Sequence, residues 1–183
     1  MRHTPAVLVM LALLASCAPK GKYVPPADNA PARIEQVERA VTYAVDPRLD
    51  ALVVTFECSF METLTYDYGD TVAKTVRDTF ERRFSSAVES DADSADFVVG
   101  YVNTALTFEG KKQMFGYDTH LAVRMSLVLF DRAGAGPQPF TVSGGTQEDV
   151  YVSFCGAAPD MITRITPAMM RSLARLLVME LDG

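Results

Sequence analysis

The chain has 183 residues, with 17 basic and 23 acidic side chains, a formal charge of −6 and 49% hydrophobic residues. That balance excludes a general nucleic-acid binder, which needs Lys and Arg to neutralise phosphates, and any general attraction to anionic lipid. The length and the apolar fraction fit one globular domain able to bury a core.

The N-terminus is organised as a signal. Met1, Arg2 and His3 make a short positive start, and the apolar run from Ala6 to Ala15 covers ten residues. A spanning helix needs about 20, so this is an export signal and not a membrane span. It ends in Leu14-Ala15-Ser16-Cys17, which resembles the lipobox of bacterial lipoproteins. The resemblance implies cleavage before Cys17, a diacylglycerol on its thiol and an acyl chain, palmitate in type, on its new amino group. It also implies residence in the cell envelope. Ala18 is not the aspartate that commonly marks inner-membrane retention in related lipoproteins, so the expected site is the outer membrane, facing the periplasm. An ordinary signal peptide cut elsewhere is the competing reading. Removing residues 1–16 leaves 16 basic and 23 acidic residues and a charge of −7, so attachment must come from the acyl chains.

Residues 18–32 hold Pro19, Pro25, Pro26 and Pro31 and few large apolar side chains. Such a segment reads as an extended tether, reaching about 45 Å at polyproline spacing. The expected organisation is therefore a signal at 1–16, a lipidated tether at 17–32 and a single α+β domain at 33–183.

Within that domain Ile34, Val37 and Val41 stand at helical spacing and suggest a short amphipathic helix or irregular lead-in, ended by Asp46-Pro47. Ala51–Met61 alternates as a strand, with Val54, Phe56, Cys58 and Phe60 on one face. Tyr66–Asp70 reads as a turn, with Asp67 or Asp70 placed to cap the next helix. Thr71–Val88 is expected as that helix, because Val72, Val76, Phe80, Phe84 and Val88 recur every four residues. The acidic stretch 89–96 lacks the glycine and bidentate glutamate of a calcium loop and reads as a solvated turn. Phe97–Phe108, Thr119–Asp131 and Phe140–Phe154 come next as strands, the last with an expected bulge or bend at Gly144-Gly145. Thr166-Pro167 is expected to open the last helix, Thr as N-cap and Pro at the first position.

Strands joined by short hairpins make an antiparallel sheet, and two amphipathic helices cover one of its faces. The expected fold is a two-layer α+β sandwich, a four-stranded antiparallel sheet in the order strand-helix-strand-strand-strand-helix. Behind a lipobox, this order resembles small envelope lipoproteins such as the lipopolysaccharide-assembly lipoprotein and the auxiliary lipoproteins of transporters.

With Cys17 lipidated, Cys58 and Cys155 remain, and an oxidising compartment allows either a disulfide or two separately packed thiols. His120 is the one histidine of the mature chain and has no ligand-spaced cysteine or carboxylate beside it. No nucleophile elbow or phosphate-cradling glycine loop is present, so no catalytic residue, cofactor or metal is expected. The candidate interaction loop is 109–117, where Lys111 and Lys112 stand beside Met114, Phe115 and Tyr117. These suit an anionic lipid, a glycolipid or a partner protein. The alternative is an ordinary hairpin whose aromatics fold back on the sheet. The expected function is that of a non-catalytic accessory or assembly subunit for a membrane complex or lipid-transfer machinery, bound to membrane by its lipid and to a protein partner in the envelope. A tethered periplasmic domain that binds a small ligand or acts as an enzyme is the rival, which a polar-lined cavity would favour. An exposed sheet face or edge strand would favour the accessory reading.

Overall fold

The computed structural model describes residues 20–22, 33–59, 62–134, 136–151 and 155–183, with the backbone only for 20–22, 56–59 and 62. In chain order the elements are β1 (Lys20–Lys22), β2 (Val37–Val45), α1 (Pro47–Asp50), β3 (Val53–Ser59), β4 (Glu62–Asp67), α2 (Gly69–Arg83), β5 (Phe84–Glu89), β6 (Phe97–Lys112), β7 (Tyr117–Asp131), β8 (Pro137–Val150) and α3 (Ala158–Leu181). A short 3-10 turn, Cys155–Ala157, leads into α3.

The main sheet has five strands in the order β5-β2-β6-β7-β8 and is mixed, not the four-stranded antiparallel sheet expected. β2 runs parallel to both β5 and β6, while β6, β7 and β8 are antiparallel. A second sheet, β1-β4-β3, is not hydrogen-bonded to it but buries Val54, Leu64 and Tyr66 in the same core. Its strand β1 lies inside the stretch read as a free tether and pairs in parallel with Thr65–Asp67 of β4.

The lead-in helix expected near residues 33–41 is instead strand β2. Val41, Tyr43, Ala44 and Val45 are all buried, as befits a strand held between two parallel neighbours and covered on both sides. A helix would bury only one stripe of these residues. Likewise, the turn expected at 66–70 begins later, since Tyr66 and Asp67 close β4. Asp67 then accepts a hydrogen bond from the Gly69 amide at the start of α2 (3.1 Å).

Helix α2 buries Val72, Val76 and Phe80, but it ends at Arg83. Phe84 turns to an extended conformation (φ −113°, ψ 148°) and starts β5. Its ring stays in the core, whereas Val88, the next residue of the expected stripe, is exposed. Phe80 is fully buried and stacks on Tyr43, with ring centroids 4.5 Å apart and planes 5° apart. Phe84 and Phe97 complete this aromatic cluster.

The last helix begins eight residues before the Thr166-Pro167 start and runs through the proline for 24 residues. Thr166 is therefore no N-cap. Its hydroxyl donates back to the Ile162 carbonyl (2.7 Å), the bond a mid-helix threonine makes. Met161, Ile162, Ile165, Met169, Met170, Leu173 and Leu177 are buried at helical spacing on both sides of Pro167. That burial outweighs the ~3 kcal/mol a proline costs in a helix interior.

The paired glycines of β8 make no bulge, since its register with β7 is unbroken from Tyr117↔Val150 to Phe130↔Pro137. Gly144 instead admits α3 to the sheet: a Cβ there would sit 2.4 Å from Met169 Cγ. The irregularities in this sheet lie elsewhere, in β6 between Tyr101 and Asn103 and in the β2–β5 pairing between Val37 and Ala40.

Asp46 ties the end of β2 to β6. Both its carboxylate oxygens accept from the Arg48 guanidinium, and one also accepts from the Tyr101 amide (3.2 Å), while its own amide donates to Val99 O. The side-chain bond from Arg48 holds its carboxyl down at about 2. In the loop before β6, Asp96 accepts from the amide and hydroxyl of Thr42 (2.7 and 2.8 Å), which hold its carboxyl below the usual range.

Candidate interaction surface

β6, β7 and β8 are 16, 15 and 14 residues long, and β2 pairs with only the first three residues of β6. The three strands therefore extend well beyond the β2–β5 half of the sheet. α3 packs against one face of this extension, where Leu121, Val123, Met125, Leu127, Phe140 and Val142 are buried. The opposite face carries small and polar side chains, among them Ala105, Arg124, Thr141 and Ser143, all exposed. No element of the described residues covers it, and β8 closes the sheet as an edge strand. His120 is on this face, opposite Glu109 and Gln147.

The loop expected at 109–117 is shorter in the structure. Glu109–Lys112 belong to β6 and Tyr117 to β7, leaving a turn of Gln113–Gly116 closed by the Gln113 amide on Gly116 O (3.0 Å). The strand pairing extends to Lys112↔Tyr117 because β8 supports β7 to its first residue, Tyr117↔Val150. Gly116 has φ +94°, and a Cβ there would lie 2.3 Å from Val150 O, so the turn and the end of β8 meet at a position only glycine fills.

Met114 is 90% exposed and Phe115 75%, so neither folds back on the sheet. Tyr117 does, and is half-buried. The structure adds Tyr151, 72% exposed, whose Cα would lie 3.2 Å from a Cβ on Gly116. Sequence reasoning assigned Tyr151 to a strand interior; reading the β7–β8 register would have placed it beside the turn. Lys111 and Lys112 flank the group, both exposed. They are balanced by Asp118 and Asp149, which share a rung with Lys111, so the tip carries mixed charge. Gln147 donates to Asp118 (2.9 Å) and Gln113 to Asp149 (3.4 Å). Met114, Phe115 and Tyr151 thus form one apolar tip, and Lys111, Lys112, Asp118 and Asp149 give it a mixed-charge collar.

Of the cysteines, Cys17 lies outside the described residues, and Cys58 is described only as backbone in β3. Cys155 is 5% exposed, in the turn before α3, and is disulfide-bonded. Among the described residues no cluster of three His, Cys, Asp or Glu could hold a metal, and no helix is long and apolar enough to cross a membrane.

No protein-family description and no curated protein matches the chain. Among solved structures it is similar to a minor lipoprotein from Acinetobacter baumannii, at TM-score 0.41 and 10% identity, over 77% of this chain and 90% of that one. It is also similar to a hypothetical protein from Chlamydia trachomatis, at TM-score 0.41 and 9% identity, over 79% and 97% of the two chains. A PelC dodecamer from Paraburkholderia phytofirmans is similar at TM-score 0.30 and 12% identity, over 76% and 94%. Likenesses at these scores assign neither family nor activity.

Proposed function

We propose that the chain is an acylated envelope lipoprotein, held at the outer membrane through Cys17. It acts there as a non-catalytic accessory or assembly subunit of a membrane complex or lipid-transfer machinery. The observation that carries this reading is Leu14-Ala15-Ser16-Cys17 at the end of a ten-residue apolar run. The uncovered face and the open β8 edge support the accessory role, since both offer a protein partner surface without rearranging the core. The partner is an envelope protein that meets Arg124, Thr141 and Ser143. A photocrosslinking residue at Ser143 should give one defined adduct with an envelope protein in cells, and the same probe at the exposed Arg171 of α3 should not. Equal labelling at both positions, or none at Ser143, would refute the accessory role.

The same reading assigns the disulfide. A thiol that carries diacylglycerol cannot join a disulfide, so acylation of Cys17 leaves Cys58 as the partner of Cys155.

A further inference from the structure

Three large apolar side chains, Met114, Phe115 and Tyr151, meet at one end of the molecule with nothing of this chain over them among the described residues. The direction of the N-terminal strand tells which surroundings they meet. α3 starts at the tip end: it begins at Ala158, just beyond Tyr151, and its Arg164 pairs with Glu148 near the end of β8. It finishes at the opposite end, where Asp182 pairs with Arg83 and Arg83 donates to the Glu35 carbonyl. β4 runs the same way as α3, because Tyr68, just past its end, touches Thr166, while Tyr66 lies near Asp160. β1 is parallel to β4. Its first residue, Lys20, is therefore its end nearer the tip. Cys17 stands three residues before Lys20, within about 11 Å of chain.

We propose that the Met114–Phe115–Tyr151 tip dips into the interface of the same bilayer that holds the lipid on Cys17, as a second, non-covalent attachment that sets the domain's orientation. The proposal rests on the reading of Cys17 as acylated. The chemistry of the tip fits a bilayer interface. Phe and Met place apolar bulk beyond the backbone of the turn, and Tyr combines an apolar ring with a hydroxyl that stays at headgroup level. Lys111 and Lys112 can lay their stems along the apolar boundary with their ammonium groups in the headgroups. The collar of Asp118 and Asp149 balances those cations, so insertion is driven by apolar burial and works on zwitterionic lipid. With the tip in the interface the strands stand away from the membrane, and the uncovered sheet face points sideways, open to a protein partner.

The chain contains no tryptophan, so a single introduced one reports its own surroundings. The test reconstitutes the full acylated protein carrying Phe115→Trp, or in a second sample Tyr151→Trp, into vesicles of phosphatidylcholine with brominated acyl chains. Phe130→Trp, at the other end of the strands opposite Val98 and Pro137, is the control. The proposal expects both tip tryptophans to shift to the blue and lose most of their emission to the bromines, and the control to keep its own. Tip tryptophans that stay unquenched in protein that floats with the vesicles would overturn the insertion and leave the anchor standing. Protein that does not float would overturn the anchor and the insertion together.

Discussion

Asp46 shows how much of the domain's cohesion passes through single side chains at the mouth of β6. Its carboxylate answers Arg48 and the Tyr101 amide at once and is held at about 2. A carboxyl that titrates lower in the folded chain than in the unfolded one stabilises the fold fully above about pH 4. That contribution fades as pH falls through the folded value near 2. Asp46→Asn should therefore lower stability at neutral pH by about 1–2 kcal/mol, because Arg48 is exposed and partly screened. The variant should also show a shallower loss of stability between about pH 4 and 2 in denaturant melts. An unchanged acid limb would mean that the Arg48 fork contributes nothing to folding.

At the scale of elements, Phe80 and Pro167 separate what the pattern made legible from what it did not. The four-residue stripe of α2 pointed to Phe80, and the structure seals it against Tyr43, Phe84 and Phe97. Phe80→Ala should cost about 3–5 kcal/mol in denaturant melts, and a loss below about 1 kcal/mol would place the ring outside the core. The same stripe overran into Val88, because spacing alone cannot tell a helix that continues from one whose last apolar residue starts a buried strand. β2 was missed for a related reason: Ile34, Val37 and Val41 stand at helical spacing, and the strand's own alternation shows only in its last residues, Val41, Tyr43 and Val45, after the charged Glu38 and Arg39. Thr166-Pro167 misled through strong local chemistry, since a threonine before a proline is an N-cap signature wherever packing does not override it. The two placements of Pro167 predict opposite results. Inside α3, Pro167→Ala restores a backbone donor and should leave stability unchanged or raise it by up to about 3 kcal/mol. A destabilisation would favour the shorter helix. The candidate site was legible in its residues, Lys111 to Tyr117, but not in its shape. Tyr151 reaches the tip only through the β7–β8 register, which no local pattern displays.

Across the whole molecule, export, acylation and the thiols are linked. If Cys17 carries lipid, Cys58 and Cys155 close a loop of roughly 100 residues, worth up to about 4–5 kcal/mol in the chain-entropy account and less where strain intervenes. Non-reducing peptide mapping of the exported protein should yield a Cys58–Cys155 peptide, and a reductant should lower the melting temperature. Two freely alkylated thiols would contradict the pairing. The central claim is the anchor itself, and the most direct measurement is the mass of the mature N-terminal peptide. The account predicts a peptide that begins at Cys17 and carries a diacylglyceryl thioether with an acylated amino group, and it predicts that Cys17→Ser abolishes both the added mass and detergent-phase partitioning. A mature chain that begins elsewhere, or an unmodified Cys17 in protein that still partitions with detergent, would contradict it.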